Sequence, residues 1–208
     1  TLSSSSAASD VYKRQFFNAP NSNVRVGISR AGNVIGGGDW AADRIVPDCI
    51  KAWSKNKTVE IRNPGATRPW QHVLEPLSGY LTLGKFLYYS SEKHGEAYNF
   101  GPPANQNHPV IELIEEMAKC WDHVRWNDIS LSKKNLQEAG LLKLNCDKAL
   151  LDLKWMPTLK FEETVGMTVK WYKSFFENDN NTMYEFSMQQ IEEYTKLAKK
   201  RGITWACE

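Results

Sequence analysis

An α/β fold is predicted by three observations. Short β-branched runs alternate with segments of helical period, Gly/Pro/Asn turn signals separate them, and the C-terminal stretch carries helical periodicity almost alone. The first strand is expected at residues 24–28, where Val24, Val26 and Ile28 alternate with polar or small neighbours. A glycine-rich segment, residues 32–38, follows it as a loop. Val46, Cys49, Ile50 and Trp53 then recur at i, i+3, i+4 and i+7, one face of a helix. A second strand fits residues 58–61, Asn63-Pro64-Gly65 is a turn signal, and residues 70–73 read as extended.

Pro76 suits the first turn of a second helix, since its missing N–H is not needed there. Leu77, Tyr80, Leu81, Gly84 and Tyr88 mark the face this helix is expected to bury. Residues 97–101 form a short extended run stopped by Pro102 and Pro103. Val110, Leu113, Ile114, Met117 and Trp121 predict a third helix, followed by a brief strand at 124–126. Asn145 is the expected cap of a fourth helix through Leu151. Phe161, Val165, Val169, Tyr172 and Phe176 predict a fifth, and residues 184–200 a last amphipathic one. No internal repeat is present.

Composition narrows the function classes. The 208 residues are 41% hydrophobic and 24% charged, which excludes wholesale disorder. No window approaches the roughly 18 apolar residues of a membrane-spanning helix. The formal net charge of +2 argues against a surface built to hold nucleic acid. Cys49, Cys120, Cys146 and Cys207 form no CxxC pair, so a zinc knuckle or redox motif is not expected. Three of them lie among apolar neighbours and read as core residues of a reduced, cytoplasmic protein. Residues 1–15 are Ser/Ala-rich without periodicity, and read as a disordered or extraneous leader outside the fold.

Two patterns suggest catalysis and are better explained otherwise. Residues Gly36, Gly38 and Ala41 satisfy G-x-G-x-x-A, with Glu60 about 20 residues on, which is the dinucleotide fingerprint. That motif needs its first glycine directly after the strand, so that the pyrophosphate meets a helix N-terminus. Here seven residues separate Ile28 from Gly36, and a flexible glycine loop is the expectation. Tyr89 and Lys93 match Y-x-x-x-K, a spacing that lets the lysine lower a tyrosine's pKa on one helix face. The pair sits near a helix end and is expected to be solvated. His72 reads as a strand residue, and His94, His108 and His123 are isolated without metal-ligand spacing. Asp43 reads as a helix cap, and Lys196, Lys199, Lys200 and Arg201 as a solvated helix C-terminus.

Three segments are more specific. They are Ser29-Arg30-Ala31-Gly32-Asn33-Val34-Ile35-Gly36-Gly37-Gly38-Asp39-Trp40-Ala41 with Asp43-Arg44-Ile45-Val46-Pro47-Asp48, then Arg62-Asn63-Pro64 with Ala66-Thr67-Arg68-Pro69-Trp70-Gln71-His72-Val73-Leu74-Glu75-Pro76, and finally Tyr98-Asn99-Phe100-Gly101-Pro102. Together with Lys148-Ala149 and Trp155-x-Pro157 they resemble, in order, the CDP-glucose 4,6-dehydratases, nucleotide-sugar enzymes of the extended short-chain dehydrogenase/reductase type. The resemblance covers residues 16–171. It implies the C-terminal part of that fold, the last Rossmann-type strand or strands plus a small, mainly helical substrate-binding domain, with 16–208 as the nucleotide-sugar-binding part.

The implied activity is that of a lyase. It is an NAD-dependent conversion of CDP-glucose to CDP-4-keto-6-deoxy-glucose, which feeds deoxysugars of surface polysaccharides. The resemblance implies no nucleic-acid or membrane partner and a homodimer for the full-length enzyme. The family's NAD glycine loop and catalytic Y-x-x-x-K precede the R-A-G-N-V segment, and residues 1–28 contain neither. No catalytic residue and no metal ligand is therefore expected here, and the polypeptide is expected to be inactive alone. By position in the family pattern, Asn33 is implied to hydrogen-bond the substrate's diphosphate or sugar, and Arg68 to grip the diphosphate. Arg44, Ile45 and Pro47 are implied to line the nucleotide pocket, Arg62 to lie near base or ribose, and Asn99 to contact the nucleotide. The backbone of Ala31 and Gly32 is implied to face the nicotinamide. Family members tend to carry a histidine and a tyrosine near Gln137, Glu138, Ala139 and Leu141, and an aspartate at Asn145. A non-catalytic nucleotide-binding module using the Gly36 loop, and a dehydratase or epimerase acting on another base, are the alternatives.

Overall fold

The computed structural model describes residues 23–103, 105–130, 144–177 and 182–207. The leader at 1–15 and the departures at Gln137, Glu138, Ala139 and Leu141 lie outside them. In chain order the elements are β1 (Ile28–Ala31), β2 (Asn33–Ile35), α1 (Ile45–Trp53), β3 (Val59–Ile61), β4 (Thr67–Arg68), β5 (Trp70–His72) and α2 (Leu74–Tyr89). There follow β6 (Ala97–Phe100), β7 (His108–Pro109), α3 (Val110–Ala118), β8 (Trp126–Asp128), α4 (Asp147–Leu153), α5 (Phe161–Glu177), α6 (Met183–Lys200) and α7 (Thr204–Cys207). The class is α/β, as the alternation predicts. Among the described residues no helix is long and apolar enough to cross a membrane.

The strands pair two by two. β1 lies parallel to β6, β2 to β5 and β3 to β8, while β4 and β7 run antiparallel. Register places Arg30 opposite Asn99, Asn33 opposite Trp70, and Arg68 opposite His108. The largest core joins α1, β3, α3 and α5 through Cys49, Ile50, Trp53, Leu113, Ile114, Met117, Val165, Val169 and Tyr172. A second core packs Tyr98 and Phe100 of β6 against Leu83 of α2, Leu153 of α4 and Trp155. The chain crosses from one body to the other at Gly32. A Cβ there would come 3.0 Å from both Leu144 and Pro69, so only glycine passes without displacing them. Gln71 Nε2 spans the same junction by donating to the Phe100 carbonyl at 2.9 Å.

Tertiary pairing moved several expected elements. The first strand starts at Ile28 rather than Val24, because its ladder partner β6 begins at Ala97. Gly27 instead tucks beneath Leu83, whose Cδ2 would lie 2.7 Å from an added Cβ. Part of the expected glycine loop is strand β2, held by β5. The brief strand expected at 124–126 forms at Trp126–Asp128, opposite β3. Helix α4 runs to Leu153 with Cys146 at its cap position, and Asn145 supports it from one residue earlier by accepting the Asp147 amide at 2.9 Å.

Helix α2 presents the face opposite to the one expected. Leu77, Tyr80, Leu81, Gly84 and Tyr88 are exposed, whereas Glu75, Pro76, Ser78, Gly79 and Leu83 are buried. The helix is apolar nearly all round, so periodicity leaves its orientation open, and two contacts decide it. A Cβ on Gly79 would stand 2.2 Å from the Phe100 ring, so glycine lets helix and strand touch. The Glu75 carboxylate is buried where it accepts the Thr158 amide (2.9 and 3.0 Å), the Leu159 amide (2.6 Å) and the Tyr194 hydroxyl (3.0 Å). Ser78 adds bonds from Trp155 Nε1 (2.9 Å) and Tyr194 (3.2 Å). Arg201, expected to be solvated, chelates Glu163 at 2.6 and 2.8 Å and also donates to the Thr158 carbonyl. His108, expected to be isolated, stacks on Phe161 at 3.8 Å and bonds Glu112 at 2.7 Å.

Two predictions follow from this packing. A Gly37→Ala side chain meets the Trp171 ring at 2.0 Å, whereas nothing lies within 4 Å of Gly65. In urea titrations Gly37→Ala is expected to cost about 1–3 kcal/mol, and Gly65→Ala to stay within about 0.5 kcal/mol of the parent. The second concerns Glu75, whose carboxyl is pushed up from 4.5 to about 7 by burial, against the opposing pull of its amide and hydroxyl donors. An acid that titrates higher when folded contributes stability below its unfolded pKa and loses it as pH rises. Unfolding free energy is expected to drop between about pH 4.5 and 7, and this loss to be absent in Glu75→Gln. Burial lowers the buried His72 imidazole to about 4 and gives the opposite slope below pH 6.5, so the difference between parent and variant is the quantity to measure.

Candidate functional site

The carboxyl ends of β1 and β6 open onto a cavity of about 1440 Å³. Ligands of open α/β sheets bind at this end of the strands, where the ladder stops and backbone groups face outward. The crossover Ala31-Gly32-Asn33 forms one side, α1 a second with Ile45 and Pro47, and β3 a third with Val59, Ile61 and Arg62. Arg68 and Trp70 enter from β4 and β5, Asn99 from β6, and Leu144 and Asn145 from the segment before α4. All nine residues expected from sequence (Ala31, Gly32, Asn33, Arg44, Ile45, Pro47, Arg62, Arg68 and Asn99) line this one cavity.

Electrostatics divide it into charged and apolar parts. Arg30, Arg44, Arg62 and Arg68 supply guanidinium groups, the fork of donors best matched to phosphate oxygens. Arg44 Nη1 pairs with Asp39 Oδ2 at 3.3 Å, and Arg62 Nη2 with Asp43 Oδ1 at 2.8 Å. Arg68 is half-buried and donates to the Thr67 carbonyl at 2.9 Å. Asn99 Nδ2 donates to the Asn145 carbonyl at 3.0 Å. Val46, Pro47, Val59 and Ile61 form a buried apolar wall. Asp48 faces the same space, and partial burial raises its carboxyl, with Lys51 opposing.

Sequence reasoning missed several of these features. Arg30 and Trp70 lie within the family-like segments without an expected role, and Asn145, where the family tends to have aspartate, accepts from Asn99 through its carbonyl. Asp43 does not cap α1: Arg44 occupies the cap position without a side-chain cap, and Asp43 instead holds Arg62. The Asp43 pairing carried no local signal, since Arg62 lies 19 residues on and follows another element, whereas Asp39 and Arg44 are five residues apart.

The glycine loop lacks the geometry of a dinucleotide cradle. The Cβ position of Gly37 is filled by the Trp171 ring, that of Gly36 is 2.8 Å from Val73, and residues 38–44 intervene before α1. These glycines admit side chains of this protein, where a pyrophosphate site needs open backbone at a helix start. Tyr89 is the last residue of α2 and 75% exposed, while Lys93 lies beyond the helix beside Asp152 at 3.7 Å. They do not share a helix face. Among the described residues no His/Cys/Asp/Glu group is arranged to hold a metal ion.

No protein-family model matches the chain. It is 41% identical over 187 residues to the CDP-glucose 4,6-dehydratase of Salmonella typhimurium, a match covering 88% of this chain and 51% of that protein. The chain resembles CDP-glucose 4,6-dehydratase. The dTDP-glucose 4,6-dehydratase of Haemophilus influenzae is 26% identical over 141 residues, 63% of this chain and 40% of that protein. The chain thus spans about half the length, or less, of the curated dehydratases it matches.

Solved structures agree on the fold. UDP-glucuronic acid 4-epimerase from Bacillus cereus, solved with UDP-glucuronic acid and NAD, aligns with a TM-score of 0.64 at 17% identity, covering 79% of this chain and 50% of that one. The NAD complex of dTDP-glucose 4,6-dehydratase from Bacillus anthracis gives 0.58 at 17% identity, covering 81% and 49%. The fold is that of part of an extended short-chain dehydrogenase/reductase, and a half-length match fits the C-terminal part expected from motif order.

Proposed function

We propose that this chain carries the nucleotide-sugar-binding part of a cytoplasmic CDP-glucose 4,6-dehydratase, which converts CDP-glucose to CDP-4-keto-6-deoxy-glucose with loss of water. The main support is that nine residues drawn from five separate segments converge on one arginine-lined cavity, in a chain 41% identical to such an enzyme. Arg68 and Asn33 bind the diphosphate. Arg44 and Arg62 stand at the nucleotide side with Asn99, and Ile45 and Pro47 supply the apolar wall that a base or ribose packs against.

NAD is the cofactor of the proposed reaction, and the described residues fit it only in part. The Ala31 and Gly32 backbone lies where β1 ends, suited to contact a nicotinamide ring. No glycine cradle for the pyrophosphate is present among the described residues, and no hydride step is assigned to them. Residues 1–28 also hold no Y-x-x-x-K pair, so the 208-residue polypeptide is proposed to bind substrate without turning it over.

Calorimetry tests this. CDP and CDP-glucose are expected to bind, with UDP and dTDP weaker, and Arg68→Ala to reduce CDP affinity about tenfold or more, the value of a charge-assisted bond to phosphate. Arg68→Lys should restore only part of the loss. No keto-sugar is expected from CDP-glucose with added NAD. A folded chain that binds no nucleotide overturns the binding reading, equal affinity for all three bases overturns the CDP assignment, and turnover overturns the claim of inactivity.

A further inference from the structure

We propose that Asp43 is a positioning residue, which holds the Arg62 guanidinium ready for an anionic ligand before any ligand arrives. The proposal rests on the reading of the cavity as a nucleotide-sugar site. Asp43 adopts φ 61°, a left-handed conformation uncommon outside glycine that aspartate takes more readily than most side chains, and one that Asn56, His123 and Lys154 also adopt. The conformation serves no helix cap, since Arg44 holds that position. What it achieves is a contact between two segments that line the cavity. Its carboxylate, on the segment before α1, reaches Arg62, the residue after β3, at 2.8 Å in a solvent-exposed pair.

The segment carrying it is exposed and is tied to the body of the protein at a few points. Tyr172 donates to the Asp39 carbonyl at 2.7 Å, and Lys51 to the Trp40 carbonyl at 2.5 Å. The Trp40 ring packs on Tyr172 and Phe175 at 5.3 and 5.0 Å. This segment thus presents an exposed carboxylate to a half-exposed arginine. The pair engages one nitrogen of the guanidinium, and among the described residues no partner takes its other donors. Fixing one edge of the fork while the rest stays available lowers the ordering cost of a later phosphate contact.

A double-mutant cycle with CDP as ligand tests the coupling. Arg62→Gln is expected to weaken CDP binding about fivefold in the parent chain and less than about twofold in an Asp43→Asn background, the scale of an exposed ion pair. Equal losses in both backgrounds overturn the proposal. A ligand-free measurement separates it from the nucleotide reading: the heteronuclear NOE of the Arg62 Nε–H is expected to fall in Asp43→Asn and in Asp43→Gly. If the parent chain binds no CDP, the nucleotide reading fails, and this NOE still decides whether Asp43 orders Arg62. Asp43→Gly relieves the left-handed strain, so a chain that melts higher with Arg62 equally ordered assigns Asp43 to the turn alone and overturns the proposal.

Discussion

The buried Glu75 carboxylate is the constraint on which much of the structure depends. It sits in the first turn of α2, directly after β5, and receives two backbone amides from the 158–159 segment and a hydroxyl from α6. A carboxylate taken out of water is tolerated only where such donors replace its hydration. The donors come from parts of the chain more than 80 residues apart in sequence from Glu75, so satisfying one group orients the helix and docks the C-terminal segment together. Arg201 closes the arrangement by gripping Glu163 and the Thr158 carbonyl. The face of α2 opposite this node is left apolar and exposed.

That orientation bears on the cavity. With α2 held by Glu75 and by Gly79 against Phe100, strand β6 is fixed relative to β5, and Gln71 bridges them. The two parallel pairs then meet at Gly32, between Pro69 and Leu144, and the space beyond their junction is the cavity. Glycines at this junction and at the Trp171 contact serve close packing. Their density in the sequence suggests a ligand loop, while their surroundings are side chains of the same protein.

Much of the fold was legible before the structure. Helix α1 buries Val46, Cys49, Ile50 and Trp53 as periodicity required, because a strong amphipathic stripe has one way to face a core. Likewise α3 buries Leu113, Ile114 and Met117, and α5 buries Phe161, Val165, Val169 and Tyr172 but leaves Phe176 exposed. Strand ends and the orientation of α2 were not legible. β1 and β8 shifted to match partners far along the chain, and α2 has apolar residues on all sides, so its local pattern prefers no orientation. The residues lining the cavity were legible as a set in the family-like segments, and the ion pairs among them were not. Asp43 looks like a cap in sequence and acts as an ion-pair partner, since Arg62 is brought to it only by folding.

By itself, then, the sequence determined the α/β class, most helices and which side chains carry donors suited to an anionic ligand. Those properties follow from local periodicity and from side-chain chemistry, which need no knowledge of distant neighbours. Tertiary structure decided which face of α2 is buried, why the glycines are required, and which carboxylate holds which arginine. These depend on contacts between residues far apart in the chain, and on burial, which sets whether a group such as Glu75 is an ordinary charge or the point around which three segments are organised.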